Sequence, residues 1–164
     1  FKYSNTSSKT MDIAGKLMDM GLDFPAIIDG SFYMKTYGQA KLHGRAVLDS
    51  IRILENRCIY TVVTQDELEE YGCTVKATDG IVDQLRVVEG VECAIFMYEI
   101  GIHEFKISMR SNHCLDVSKI AQYFGGGGHV RAAGCTMSGN LYDVINNLSL
   151  HIEKQLESTP CITE

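Results

Sequence analysis

Val91–Ser111, VECAIFMYEIGIHEFKISMRS, is the stretch on which the fold turns. Its first part, VECAIFMYEI, is apolar on both faces, as a strand is when it lies at the centre of a sheet and is covered on both sides. Gly101 turns the chain. In EFKISMRS the alternation becomes strict: Phe105, Ile107 and Met109 point one way, and Lys106, Ser108 and Arg110 the other. That is a strand with one wet face. Arg110 stands at its end, on the polar side.

Upstream, DGIVDQLRVVEG places Ile81, Leu85 and Val88 on one helical face. Before it, RCIYTVV is β-branched and aromatic enough for a strand. Thr64 and Glu67 form a T-x-x-E capping box that opens a short helix ending near Gly72. Downstream, a helix starts at Asp116 with Val117, Ile120, Ala121 and Phe124 on its buried side, and four glycines end it. CTMS is a last short strand. Asn140 caps a long helix striped by Leu141, Val144, Ile145, Leu148, Ile152 and Leu156. The fold class is α/β, a mixed β-sheet flanked by helices over residues 56–164.

Residues 1–55 read differently. TSSKTMDIAGKLMDMG has Thr6 as N-cap, a stripe of Ile13, Leu17 and Met20, and Gly21 as its stop. DFPAIIDGSFYM has Asp23 before a helix and Pro25 in its first turn. A third helix is predicted from Thr36 to Leu54, with Tyr37, Ala40, Gly44, Val47, Ile51 and Leu54 on one face. These helices alternate with no strands and look like the end of another domain. The chain opens on Phe1 in mid-pattern, as a fragment would.

Of the 164 residues, 45% are hydrophobic, enough for a packed core. No apolar run reaches the length of a membrane span, and FKYSNTSSKT is not a signal peptide. None of the six cysteines forms a C-x-x-C pair, and gaps of 15 to 26 residues match no zinc module. They read as buried free thiols in a reducing cytosol, so a cytoplasmic protein is expected. The net charge of −6 argues against a general nucleic-acid coat. Residues 104–135, however, hold Lys106, Arg110, Lys119 and Arg131 against Glu104 and Asp116. A locally basic region on an acidic body suits a small anionic ligand.

The motif that could hold such a ligand is YFGGGGHVRAAG, Tyr123–Gly134. Glycine costs roughly 0.5–1 kcal/mol against alanine in regular structure, so four in a row suggest that bare backbone is needed. Successive glycine N–H groups can form an anion-binding nest. His129 and Arg131 follow and can donate to phosphate oxygens, and Arg110 could fork onto the same group across the loop. The competing view is a flexible C-cap and linker. A P-loop is excluded in its usual form because no Lys-Ser or Lys-Thr follows. A dinucleotide fingerprint is disfavoured because the glycines come after a helix and before a strand. His129 has no nucleophilic partner in sequence, Cys114 beside His113 reads as a loop accident, and no His/Asp cluster has metal-ligand spacing. The residues support anion binding without catalysis: no catalytic and no metal-binding residue is assigned.

FGGGGHVRAAG, with ISMRS upstream and DVSKIAQYF between them, resembles the DHH-associated domain of the DHH phosphoesterase superfamily. It is most similar to the subfamily of nanoRNases that also act on 3′-phosphoadenosine 5′-phosphate (pAp). DGIVDQLRVVEGVECAIF resembles that family's helix-to-strand segment, and FKYSNTSSKT a segment near the end of its catalytic DHH domain. The resemblance implies that Arg110, Ser111, Gly126, Gly127, Gly128 and His129 hold the nucleotide and phosphate of the substrate. Arg131 is less securely placed in the motif, and Val130 departs from a frequently basic position. It also implies that the family's metal ligands lie before Phe1, that two divalent ions, typically manganese, serve the longer protein, and that a DHH domain is the partner in cis. Short RNA or a nucleotide phosphate is the expected ligand. The alternatives are the substrate domain of a cyclic-dinucleotide phosphodiesterase, a stand-alone nucleic-acid-binding module, and a purely structural dimerisation domain.

Overall fold

The computed structural model describes residues 6–158, so Phe1–Asn5 of the FKYSNTSSKT segment and Cys161 lie outside the described residues. The chain divides into two compact units, one up to Thr36 and one from Tyr37 onward.

In the first unit, helix α1 (Ser8–Asp19) is capped by Ser7, not Thr6. The Ser7 hydroxyl accepts the Thr10 N–H at 3.3 Å, and the Thr10 hydroxyl accepts the Ser7 N–H at 3.2 Å. A capping box needs an acceptor three residues on. Thr10 supplies it for Ser7, whereas Thr6 would be paired with Lys9. Gly21, at φ +85°, follows the helix end. Helix α2 (Phe24–Ile28) starts as expected, with Asp23 accepting the Ala26 N–H at 3.1 Å and Pro25 in the first turn. It runs on into a π-helical turn over Asp29–Tyr33. The expected stripe of Ile13, Leu17 and Met20 is exposed, and Ala14 is the buried residue of α1.

In the second unit, α3 (Tyr37–Leu48) stops short of the expected Leu54. Ile51–Ile53 form strand β1 instead. Leu54, Glu55 and Asn56 all take left-handed φ values, 51°, 55° and 67°, and turn the chain back into β2 (Cys58–Val63). The β-branched Ile51 and Ile53 pair with Tyr60 and Cys58 in this hairpin, which outweighs their place in a helical stripe. The compact unit around the sheet therefore takes in α3 and β1. The inward face of α3 is also not the expected one. Leu42, His43 and Ala46 are buried, while Tyr37 and Val47 are exposed. His43 can be buried because both ring nitrogens are satisfied, Nε2 at 2.8 Å from the Ala77 carbonyl and Nδ1 at 2.9 Å from the Gln84 amide.

Beyond β2 the predicted helices and strands recur, but the glycine run adds an unpredicted strand and the last predicted strand starts earlier, at Ala132. The Thr64–Glu67 capping box opens α4 (Gln65–Glu70). A short 3-10 turn leads to α5 (Ile81–Arg86), and β3 (Cys93–Gly101) and β4 (Glu104–Ser111) follow. Asp116 caps α6 (Val117–Tyr123). Then come β5 (Gly127–His129), β6 (Ala132–Ser138) and α7 (Leu141–Ser158). The six strands form one mixed sheet in the order β1-β2-β3-β4-β6-β5. Strands β2 and β3 are parallel and the other neighbours antiparallel. The α4–α5 crossover between β2 and β3 makes the parallel pairing possible.

Each face of the sheet has its own core. Ile95, Met97, Ile107 and Met109 pack with α6 and α7 residues such as Ile120, Leu148 and Ile152. Ala94, Phe96 and Ile59 pack with Leu42, Ile81 and Leu85 from α3 and α5. Strand β3 feeds both, which is why its sequence is apolar throughout. Truncating a fully buried Ile or Met here costs about 2–5 kcal/mol.

Cys58, Cys93 and Cys135 are buried free thiols, and Cys73 is free and half-buried. Cys114 is disulfide-bonded, so the expectation of six free thiols fails there. It sits in the loop after β4, outside the strands that hold Cys58, Cys93 and Cys135. Among the described residues, no helix is long and apolar enough to cross a membrane.

Candidate functional site

The glycine run is not one device. After α6, Gly125 takes φ +73° and donates to Gln122 O at 3.0 Å, while Gly126 donates to Ala121 O at 2.8 Å. This is a Schellman close, in which bare Gly125 tolerates the left-handed turn. Gly126 passes so near β6 that a Cβ would stand 2.6 Å from the Cβ of Cys135. Gly128 has φ +147°, and its Cβ would stand 2.5 Å from both the Ala132 carbonyl oxygen and the Ala133 Cα. Gly127 alone has neither a left-handed φ nor any neighbour within 4 Å of an added Cβ.

The expected nest is therefore not formed. Gly127–His129 are an edge strand, joined to β6 by a two-residue turn at Val130 and Arg131. In a strand, successive N–H groups point to opposite edges, so they cannot converge on one anion.

The sheet register supplies a different arrangement. Ala94 pairs with Arg110, Arg110 with Ala132, and Ala132 with His129. Residues paired across antiparallel strands project from the same face. Arg110 and His129 thus share one face, separated by the small Ala132. Two strand spacings put their backbones about 10 Å apart. The next row on this face is Ser108, Gly134 and Gly127, with almost no side chain. The opposite face of these strands is buried by α6 and α7. Here, beyond α5, the face is open: Lys106 and His129 are exposed, and Arg110 is half-buried. It is a shallow floor of small residues with cations around it.

Arg110 is held at two points. Its Nη1 donates to the Met109 carbonyl at 3.1 Å, and its Nε lies 3.7 Å from Asp83 Oδ1 on α5. Its Nη2 has no protein partner among the described residues. Ser111 does not join the group. Its side chain points to the other face, where Oγ donates to Leu115 O at 2.8 Å and Val130 O at 3.3 Å, and the residue is buried. One position past Arg110, strand alternation requires this, and the hydroxyl serves the loop instead. Arg131 turns away too: its Nη1 donates to Leu115 O at 3.0 Å from the β5–β6 turn. Of the residues assigned from sequence, Arg110, Gly127 and His129 share the open face, Gly126 and Gly128 give backbone closeness to β6, and Ser111 and Arg131 fasten the loop before α6.

That loop has a second anchor that sequence reasoning missed. Glu92, buried just before β3, accepts N–H bonds from His113 at 3.0 Å, Cys114 at 2.7 Å and Leu115 at 2.9 Å. Three successive N–H groups do converge on a carboxylate, but it is the protein's own. Asn112 adds bonds from Nδ2 to Arg86 O at 2.9 Å and to Val91 O at 2.7 Å, and its Oδ1 accepts from Arg86 Nη1 at 2.8 Å. The signal available in sequence was a lone acid opening an apolar run. Together these bonds fix the end of β4 and so the position of Arg110.

Other places offer less. A cavity of about 490 Å³ lies away from the glycines among Ile51, Tyr60, Val62 and Phe105. Its charged rim is self-paired, with Arg45 bonded to Asp49 and, at 3.0 Å, to Glu67. Among the described residues, no three His, Cys, Asp or Glu side chains are grouped to hold a metal ion.

The architecture is thus a mixed sheet with helices on both faces and an open, cation-edged floor at the β5–β6 end. Residues 55–158 match the DHHA1 domain, and the chain belongs to that family, within the DHH superfamily. It is 28% identical over 141 residues to the bifunctional oligoribonuclease and PAP phosphatase NrnA of Thermus thermophilus, covering 85% of this chain and 41% of that protein. It is 29% identical over 156 residues to a probable NrnA of Streptococcus mutans, covering 93% and 47% respectively. The chain thus spans less than half the length of these relatives. Among solved structures, an exopolyphosphatase-related protein from Bacteroides fragilis shares the fold with a TM-score of 0.85 at 20% identity, over 94% of this chain and 45% of that one. A pGpG-specific phosphodiesterase from Vibrio cholerae shares it with a TM-score of 0.54 at 12% identity, over 94% and 53%.

Proposed function

We propose that the open face of β4, β6 and β5 holds the phosphate and nucleotide of a short oligoribonucleotide or of pAp, and that the chain is the substrate-holding part of a metal-dependent, cytoplasmic phosphoesterase. The register that sets Arg110, Ala132 and His129 in one row on an uncovered face carries this reading. A guanidinium can fork onto two phosphate oxygens, a neighbouring imidazole can donate a third bond, and the bare Gly127 and Gly134 in the adjoining row let the ligand lie close to the backbone. The names of the NrnA relatives support the substrate class.

The described residues do not fit the pair of divalent ions, typically manganese, that this function implies, because they group no ligand set. No metal step is assigned to them. A DHH domain in cis would supply that chemistry. The exposed apolar residues of the first unit, among them Met20, Phe32, Tyr33 and Met34, suit cover by such a domain.

The test is titration calorimetry of the chain with pAp and with two- to five-nucleotide RNA. A charge-assisted hydrogen bond contributes about 1.5–3 kcal/mol. Arg110→Ala should therefore weaken binding at least tenfold at unchanged Tm. With manganese added, the chain should turn over neither ligand. Equal affinity of wild type and Arg110→Ala, or metal-dependent turnover that survives repurification, overturns the assignment.

A further inference from the structure

Arg110 is not the lone guanidinium at this end of the sheet. Arg86 closes α5 beside it, and both arginines address one carboxylate. Asp83 Oδ1 lies 3.7 Å from Arg110 Nε and 3.8 Å from Arg86 Nε. Arg86 is held as firmly as Arg110: its Nη1 donates to Asn112 Oδ1 at 2.8 Å, and Asn112 is itself pinned to the Arg86 and Val91 carbonyls. In both arginines Nη1 is hydrogen-bonded, Nε makes only a loose ion pair with Asp83, and Nη2 has no protein partner among the described residues. One carboxylate therefore serves two fixed cations, and the cluster keeps a net positive charge. The other acid on this face of β4, Glu104, lies six residues away, about 20 Å along the strand. At 41% exposure the Asp83 side chain is wet enough that these ion pairs are weak. A phosphate can compete with them.

We infer that Arg86 is a second anion-binding residue and that Arg86 and Arg110, spaced by Asp83, take a second phosphate of the same ligand. The class of ligand this favours is a nucleotide phosphorylated at two positions over one with a single phosphate. The inference rests on the reading of the Arg110–His129 face as the substrate face. Asp83 is the positioning residue. Its Oδ1 lies within 3.8 Å of both Nε atoms and so draws the two guanidiniums to one place on this face.

The experiment is titration of the chain with pAp and with AMP, for wild type, Arg86→Gln, Arg86→Lys and Arg110→Ala. Arg86→Gln should weaken pAp about tenfold, the effect of one lost charge-assisted contact, while AMP changes by less than twofold. Arg86→Lys keeps the charge but loses the fork; it should recover part of the pAp affinity and serves in place of the Gln variant should that fail to fold. A role confined to holding Asn112 would weaken both ligands alike, and that result overturns the inference. An unchanged pAp affinity in Arg86→Gln beside a weakened one in Arg110→Ala removes Arg86 and leaves the substrate face standing. Failure of wild type to bind either ligand overturns both.

Discussion

Gly127 and Gly128 are neighbours in one run, yet the structure gives them opposite roles, and one pair of substitutions separates these. Gly128→Ala places a Cβ 2.5 Å from the Ala132 carbonyl oxygen and the Ala133 Cα, at a φ of +147° that side chains rarely adopt. Backbone strain of this kind costs about 1–3 kcal/mol, and forcing an atom into close contact adds about 1–3 kcal/mol. The chain can relieve both by releasing β5, a three-residue edge strand, from β6. Fraying caps the loss, so we expect about 2 kcal/mol, which at a urea slope of about 1–3 kcal/mol/M lowers the midpoint by roughly 1 M. Gly127→Ala meets open space at an ordinary φ and should move the midpoint hardly at all. Circular dichroism during urea titration measures both. Hydrogen exchange at Ala132–Gly134 shows whether β5 has come away. Equal losses in the two variants, or no loss in Gly128→Ala, would refute the division of the glycines into one that makes room for β6 and one that does not.

Three more expectations follow from named contacts. Glu92→Ala leaves the N–H groups of His113, Cys114 and Leu115 without their acceptor; only the Leu115 bond is buried, so at about 1–3 kcal/mol for an unsatisfied buried group it should cost at least about 1 kcal/mol in a chemical denaturation. Asp116 caps α6, and its bond from the Ser118 hydroxyl holds its carboxyl below the usual value. Its contribution is thus full above about pH 4 and lost as the pH falls through the folded-state value; Asp116→Ala should cost about 0.5–2 kcal/mol at pH 7 and progressively less in acid, as stability curves at pH 7 and pH 3 will show. A hydrogen bond with Cys58 and burial raise the Cys93 thiol well above its ordinary value, and burial raises Cys135. The stability these neutral thiols contribute is intact below about pH 8.5 and declines as the pH rises towards the folded-state values, and mass-resolved alkylation of the native chain at pH 8 should label Cys73 while sparing Cys58, Cys93 and Cys135.

Much of this protein is legible in its sequence wherever local chemistry and burial agree. The doubly apolar VECAIFMYEI is β3, with Ile95 and Met97 in one core and Ala94 and Phe96 in the other. The alternation in EFKISMRS sets Arg110 on a face away from the core, and the caps at Asp23, Thr64, Asp116 and Asn140 lie where short polar side chains precede apolar stripes. These signals are readable because a strand period or a cap involves only a few consecutive residues. Where the outcome depended on distant partners, sequence was silent or misleading. Ile51–Ile53 are a strand because β2 stands beside them, and His43 is core because Ala77 and Gln84 satisfy its ring. The second half of the glycine run is an edge strand rather than a nest because β6 runs against it, and the close approach of β6 forbids side chains at Gly126 and Gly128. The shared face of Arg110 and His129, the recruitment of Ser111 and Arg131 to the loop, and the meeting of Arg86 with Arg110 at Asp83 all arise from the register and packing of elements far apart in the chain. No local pattern encodes such a meeting, since it exists only once the strands have chosen their neighbours.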